Sequence, residues 1–139
     1  MVPFKLIQVT NSTNSIPRII VFENESQMKK MNMGAVTLTK ASIVNNTLSI
    51  VVSYSGGCEK HEFSLGAIFV FPNTNCNPVA NLALGHENNN DTCKKMIRER
   101  LEFNLSPLKE KCQRVIGAKA DSMILHLMNT TITVRYSFK

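Results

Sequence analysis

The chain contains no tryptophan, only 6% aromatic residues, and no apolar run approaching the roughly 20 residues that a bilayer-spanning helix requires. Its first residues, Met1-Val2-Pro3-Phe4-Lys5, lack the apolar core of a signal peptide. A transmembrane segment and a leader are therefore not expected in this chain. What remains is a cytosolic protein, a mature form whose leader was removed, or a virion component; the secreted or envelope and virion readings are favoured over a plain cytoplasmic one. Internal repeats and domain linkers are also missing, so a single domain over residues 1–139 is expected, and that length buries a core without staples. With 43% hydrophobic and 19% charged residues, the composition excludes a disordered chain.

The apolar residues that are present fall in short β-branched runs. Phe4–Val9, Arg18–Phe22, Val36–Val44, Thr47–Tyr54, Glu62–Phe71, Val79–Leu84, Ser122–Leu127 and Thr131–Phe138 all have strand length. Asn45-Asn46 joins two of these runs and Met128-Asn129-Thr130 another two, and each junction suits a hairpin turn. Between Asn88 and Leu105 two readings compete. Asp91 or Thr92 could cap a helix, yet Leu101, Phe103 and Leu105 alternate as in a strand, and extended structure is preferred for residues 98–105. Ser106-Pro107 opens a short helical turn, with Ser106 as cap. The expected fold is an all-β, single-domain β-sandwich of about eight or nine short, mainly antiparallel strands with one or two helical turns.

Four cysteines and three histidines supply the chemistry. Cys58 and His61 follow Gly56-Gly57 at one strand end, and His86 and Cys93 bracket another. Two thiolates and two imidazoles suit a tetrahedral structural zinc, although the six residues between His86 and Cys93 exceed the usual ligand spacing. A Cys58–Cys93 disulfide accounts for the same sulfurs, and Cys76 with Cys112 would form a second. Catalysis by a cysteine thiolate beside a histidine is a third reading, for which no orienting residue is identifiable, Asp91 being only one candidate in a loop. Met28, Met31 and Met33 read as packing residues, or as soft ligands for Cu(I). His126, among apolar neighbours, reads as a surface or hydrogen-bonded core histidine. Sequons begin at Asn11, Asn24, Asn45, Asn90, Asn104 and Asn129, as an Asn-rich chain generates by chance.

The formal charge of +6 is local. Residues 1–90 hold six Lys/Arg against five Asp/Glu, whereas 94–119 hold eight against three: Lys94, Lys95, Arg98, Arg100, Lys109, Lys111, Arg114 and Lys119. Such a segment can face nucleic acid, an anionic surface or an acidic protein, or simply water. Phe103 is its single aromatic residue, too few for a base-stacking platform.

Gly56-Gly57-Cys58-x-x-His61-x-Phe63, then Leu84-x-His86, Asp91-x-Cys93 and Phe103-Asn104-Leu105-Ser106-Pro107-Leu108 together resemble a pattern in uncharacterised small proteins and lipoproteins, mainly bacterial. The resemblance spans residues 47–138 and implies a small β-rich domain with no established activity. In that family the last block tends to read Phe-Asp-Leu-Ser-Pro-Leu, so Asn104 departs from it, as do Cys76 and Cys112. A non-catalytic structural or interaction module with a protein partner is the expectation. A cysteine and histidine enzyme or a nucleic-acid-binding protein is the alternative.

Overall fold

Val44 and Thr47 close a hairpin around Asn45-Asn46, with Asn45 in the left-handed region at φ 55°. Asparagine tolerates that conformation because its short side chain bonds the local backbone. The hairpin joins β2 (Thr37–Val44) to β3 (Thr47–Gly56). In this computed structural model the described residues are 16–32, 34–70, 78–117 and 119–138. The expected strand at Phe4–Val9, the last residue of the expected Glu62–Phe71 strand and residues 72–77, including Cys76, lie outside them.

The other elements are β1 (Ile20–Phe22), α1 (Glu25–Met28), β4 (Glu62–Val70), β5 (Val79–Glu87), β6 (Lys95–Asn104), α2 (Ser106–Val115), β7 (Ser122–Leu127) and β8 (Thr133–Ser137). Eight strands among the described residues form two sheets, a five-stranded one in the order β1-β4-β5-β7-β8 and a three-stranded one in the order β2-β3-β6. Pairing is antiparallel except for β1 with β4 and β5 with β7. The all-β sandwich read from the sequence is the fold observed.

The core follows from alternation. On β3, Leu48, Ile50 and Val52 point inward and are fully buried, while Val51 and Ser53 stay half-exposed. Leu82, Leu125, Leu127 and Tyr136 face them from the larger sheet. Each such apolar side chain contributes about 1.5–3 kcal/mol relative to exposure. The second hairpin turns at Asn129, φ 67°, and the Tyr136 hydroxyl donates to Asn46 Oδ1 at 2.6 Å, which ties the end of β8 to the first hairpin. Burial, with Glu110 adding to it, pushes the Tyr136 phenol up to about 12.

The region left ambiguous by the sequence resolves as a strand that starts earlier than expected, at Lys95, so neither Asp91 nor Thr92 caps a helix. In turn, α2 is a ten-residue helix rather than a short turn, and Ser106 is not its cap. Asn104 Oδ1 accepts from the Ser106 N–H at 2.9 Å, so the oxygen an aspartate would present is retained by the asparagine. The helix buries Leu108 and Cys112 against the core, where burial raises the Cys112 thiol and leaves it a free, unreactive cysteine.

Two substitutions separate core from surface. Leu108→Ala is expected to lower the unfolding free energy by about 2–5 kcal/mol in urea titrations. Val44→Ala, at a side chain 68% exposed, is expected to change it by less than about 0.5 kcal/mol.

Candidate functional site

Two short loops at one end carry the chain between the sheets, which it also changes from β1 to β2 and from β6 to β7. Residues 57–61 connect β3 to β4, and residues 88–94 return from β5 to β6. The pairs Gly56↔Lys95 and Glu62↔Glu87 are the last rungs on either side, so both corners lie at the same end of the molecule. Gly57, at φ 116°, makes the first corner possible, a backbone conformation that side chains oppose. The second corner is an asparagine turn. Asn89 and Asn90 both have positive φ, the Asp91 N–H donates to Asn88 O at 3.1 Å, and Asn89 Nδ2 donates across to Lys60 O at 2.7 Å.

This geometry delivers Cys58 against Cys93, and the two form a disulfide with a Cα–Cα distance of 5.8 Å. Beneath it lies Asp91. Its Oδ2 accepts from the N–H groups of Cys58 at 3.3 Å and Glu59 at 3.2 Å and meets His61 Nε2 at 2.8 Å, while Oδ1 accepts from the Cys93 N–H at 3.0 Å. His61 Nδ1 lies 2.7 Å from His86 Nε2, and His86 Nδ1 lies 3.1 Å from Ala35 O. The side chains of His61 and Asp91 are 2% and 0% exposed. The hydrogen bond with His61 above all, helped by the three backbone amides, holds the Asp91 carboxyl well below the usual carboxylate range against the opposing effect of burial.

Hydrogen counting constrains the row. Three contacts run Asp91–His61–His86–Ala35, and each needs one hydrogen between its heavy atoms. Two neutral imidazoles carry only two. A carboxylate and a carbonyl stand at the two ends and contribute none, so filling all three contacts takes one hydrogen more than two neutral rings carry, and the contact of His61 Nε2 with Asp91 Oδ2 has a carboxylate acceptor. The pair is a charge-assisted bond inside the protein.

Rings close over this row. Phe63 stacks on His86 at 4.6 Å with a 6° interplanar angle, and Tyr54 packs on His61 at 4.6 Å. The Tyr54 hydroxyl donates to Glu99 Oε1 at 2.6 Å, and burial together with that carboxylate pushes the phenol up to about 12. Gly56 forms the floor. A Cβ there would sit 2.8 Å from His61 Nε2 and 2.9 Å from Asp91 Oδ2.

Of the four residues singled out as zinc ligands, all meet at this end of the molecule, but as two bonded pairs. The sulfurs of Cys58 and Cys93 bond each other, and His61 and His86 use their nitrogens on one another, Asp91 and Ala35. A tetrahedral set needs four lone pairs aimed at one point, and the oxidised protein does not present them. The disulfide alternative is the arrangement observed. Asp91, which links the two pairs, stands in the sequence as a loop candidate for a helix cap or an orienting residue and as part of Asp91-x-Cys93, none of which signals this link.

The remaining candidates disperse. Cys112 lies in α2, and its suggested partner Cys76 is outside the described residues. Met28 is buried, 4% exposed, consistent with packing, and Met33 is not among the described residues. His126 Nε2 lies 3.1 Å from Thr130 O and braces the β7–β8 turn. The basic residues spread over β6, α2 and the loops beside them: Arg100 pairs with Glu102, Lys111 with Glu23, and Lys109 lies over the Phe138 ring, while Lys94, Lys95, Arg98, Arg114 and Lys119 are exposed.

No family model and no curated protein matches the chain. The fold is shared with solved bacterial proteins. A protein of unknown function, DUF1344, from Bacteroides vulgatus matches at 15% identity and TM-score 0.54, over 89% of this chain and 58% of the other. A NigD-like immunity protein from Bacteroides caccae matches at 12% identity and TM-score 0.55, over 86% and 58%. A protein described as toxin-related from Parabacteroides distasonis matches at 17% identity and TM-score 0.57, over 89% and 62%. The chain thus spans about three fifths of each of these structures. The likeness is one of fold and agrees with an uncharacterised bacterial β-rich group.

Because the folded pKa of Asp91 is depressed, its contribution to stability is fully present above the unfolded carboxylate value of about 4 and is lost as pH falls through and below it. Denaturation midpoints from about pH 6 down to 2 are therefore expected to fall more steeply for the wild type than for Asp91→Asn. Gly56→Ala is expected to cost about 1–3 kcal/mol, read by thermal unfolding, because the added methyl must displace the buried His61 and Asp91 side chains.

Proposed function

We propose that the protein is a non-catalytic interaction module of an exported bacterial protein, with the cysteine and histidine cluster holding its corners rather than performing chemistry. The observation that carries this reading is the closure of the cluster. The sulfurs are spent on each other, the imidazoles are buried, and every nitrogen of His61 and His86 meets a protein partner. A nucleophilic site requires a thiolate beside a base with room for a substrate, and neither sulfur is a thiolate in this state.

The disulfide supports an oxidising compartment such as the cell envelope or the exterior. In the chain-entropy account a crosslink closing 35 residues stabilises by about 4 kcal/mol. An immunity protein among the similar folds supports work by contact with another protein. Among the described residues no helix is long and apolar enough to cross a membrane.

Crosslinking in the cell that makes the protein, followed by mass spectrometry, is the test. A specific protein partner is expected, retained when His61 and His86 are both replaced by glutamine in a variant confirmed to fold. Recovery as an uncrosslinked monomer, or alkylation of Cys58 or Cys93 in the native protein without reductant, would count against the proposal.

A further inference from the structure

Among the described residues, one group of metal-ligating atoms gathers at the bridged corners. Cys58 Sγ, Cys93 Sγ and a carboxylate oxygen of Asp91 lie within 4.8 Å of one another. The backbone holds their two corners together independently of the sulfurs, because the Asp91 carboxylate accepts from the Cys58, Glu59 and Cys93 amides. While the sulfurs are bonded to each other the group contains no thiolate. Cleavage of that one bond changes its chemistry.

Two sulfurs bound at about 2.3 Å to a tetrahedral zinc stand roughly 3.8 Å apart. The Cα atoms of Cys58 and Cys93 are 5.8 Å apart, so rotation of the two side chains opens that gap without moving the corners. Asp91 stands beside the sulfurs, whereas His86 is a full ring further along the row Asp91–His61–His86. Its ring is 3% exposed, stacked on Phe63 and held at Nδ1 by Ala35 O. His61 Nε2, 2.8 Å from Asp91 Oδ2, braces the carboxylate, as hydrogen-bonded partners commonly orient metal ligands. Among the described residues Oδ2 meets three donors and Oδ1 one, which makes Oδ1 the oxygen with a lone pair to offer. Cys58 is exposed, so a reductant and an ion both reach the sulfurs.

We infer that Cys58, Cys93 and Asp91 form a site for a thiophilic divalent cation, zinc above all, which the protein binds once its disulfide is reduced. A dithiol reductant supplies the two electrons and two hydrogens: the Cys58–Cys93 bond breaks to two thiols as the dithiol closes to its own disulfide. The cation then displaces both thiol protons to solvent as two sulfur–metal bonds form. Two thiolates with one carboxylate select zinc over magnesium and calcium, which demand oxygen ligands. Water completes the tetrahedron. This set differs from the four residues read from the sequence by exchanging both histidines for Asp91. It crosslinks the same two corners in a reducing compartment that the disulfide crosslinks in an oxidising one.

The inference goes beyond the interaction-module reading, and neither depends on the other. The test uses the whole chain carrying Cys76→Ser, whose remaining free thiol, Cys112, is fully buried. This protein is reduced with a dithiol, desalted without oxygen, and titrated with cobalt(II) and then zinc. One cobalt per chain is expected, with a sulfur-to-cobalt absorption band that zinc abolishes and that the oxidised protein does not develop. Zinc is also expected to block iodoacetamide labelling of Cys58 and Cys93. Asp91→Asn is expected to weaken zinc binding about tenfold or more, and His86→Gln to leave it within about twofold. If Asp91→Asn does not fold, zinc-edge X-ray absorption of the reduced protein answers the same question, with two sulfurs and oxygen ligands expected. No cobalt band after reduction, binding unchanged in Cys58→Ser, imidazole scattering around the zinc, or a greater loss in His86→Gln than in Asp91→Asn would overturn the inference.

Discussion

A single buried carboxylate joins two neighbouring corners where the chain changes sheets, β3 to β4 and β5 to β6. Asp91 accepts from Cys58 and Glu59 on one corner, from Cys93 on its own, and pairs with His61, so both turns answer to one pair of oxygens. Burying that charge would be unfavourable if any of these donors were missing. The elements around it therefore follow: Gly56 leaves room, Asn88 to Asn90 present the carboxylate, and the strands that begin at Glu62 and Lys95 inherit their direction from the two corners.

The disulfide and the hydrogen-bonded row divide the labour. A crosslink acts mainly on the unfolded chain, by limiting how far residues 58 and 93 can separate. The row acts on the folded state, where it selects one arrangement of His61 and His86 among many that a bridge alone would allow. Phe63 and Tyr54 keep water away from it, which strengthens each charge-assisted contact. Under the interaction-module proposal, that closure would keep the surface a partner meets from moving much on binding.

Much of the fold was readable because it rests on local signals. Alternation of Leu48, Ile50 and Val52 and the Asn pair after Val44 specify a hairpin without reference to the rest of the chain. Asparagine in turns was equally legible, and five sequon residues prove to have structural roles. Asn24 accepts from the Gln27 N–H at the start of α1, Asn104 accepts from Ser106, and Asn45, Asn90 and Asn129 occupy left-handed turns. The β6 start and the length of α2 were less legible, since residues 93–100 satisfy either periodicity and only pairing with β3 decides. The site was half legible. Paired cysteines and histidines announced a cluster, but metal and disulfide demand the same residues, and the link that Asp91 makes between the two pairs exists only once the corners are folded. The parallel pairing of β5 with β7 is a long-range fact with no trace in local pattern.

The claim that Asp91 organises both corners, with the disulfide secondary to it in the folded state, is tested most directly by amide hydrogen exchange. The account predicts that Cys58, Glu59 and Cys93 amides stay protected after the disulfide is reduced under folding conditions, and exchange freely in oxidised Asp91→Asn. Protection that vanishes on reduction and survives in Asp91→Asn would contradict it.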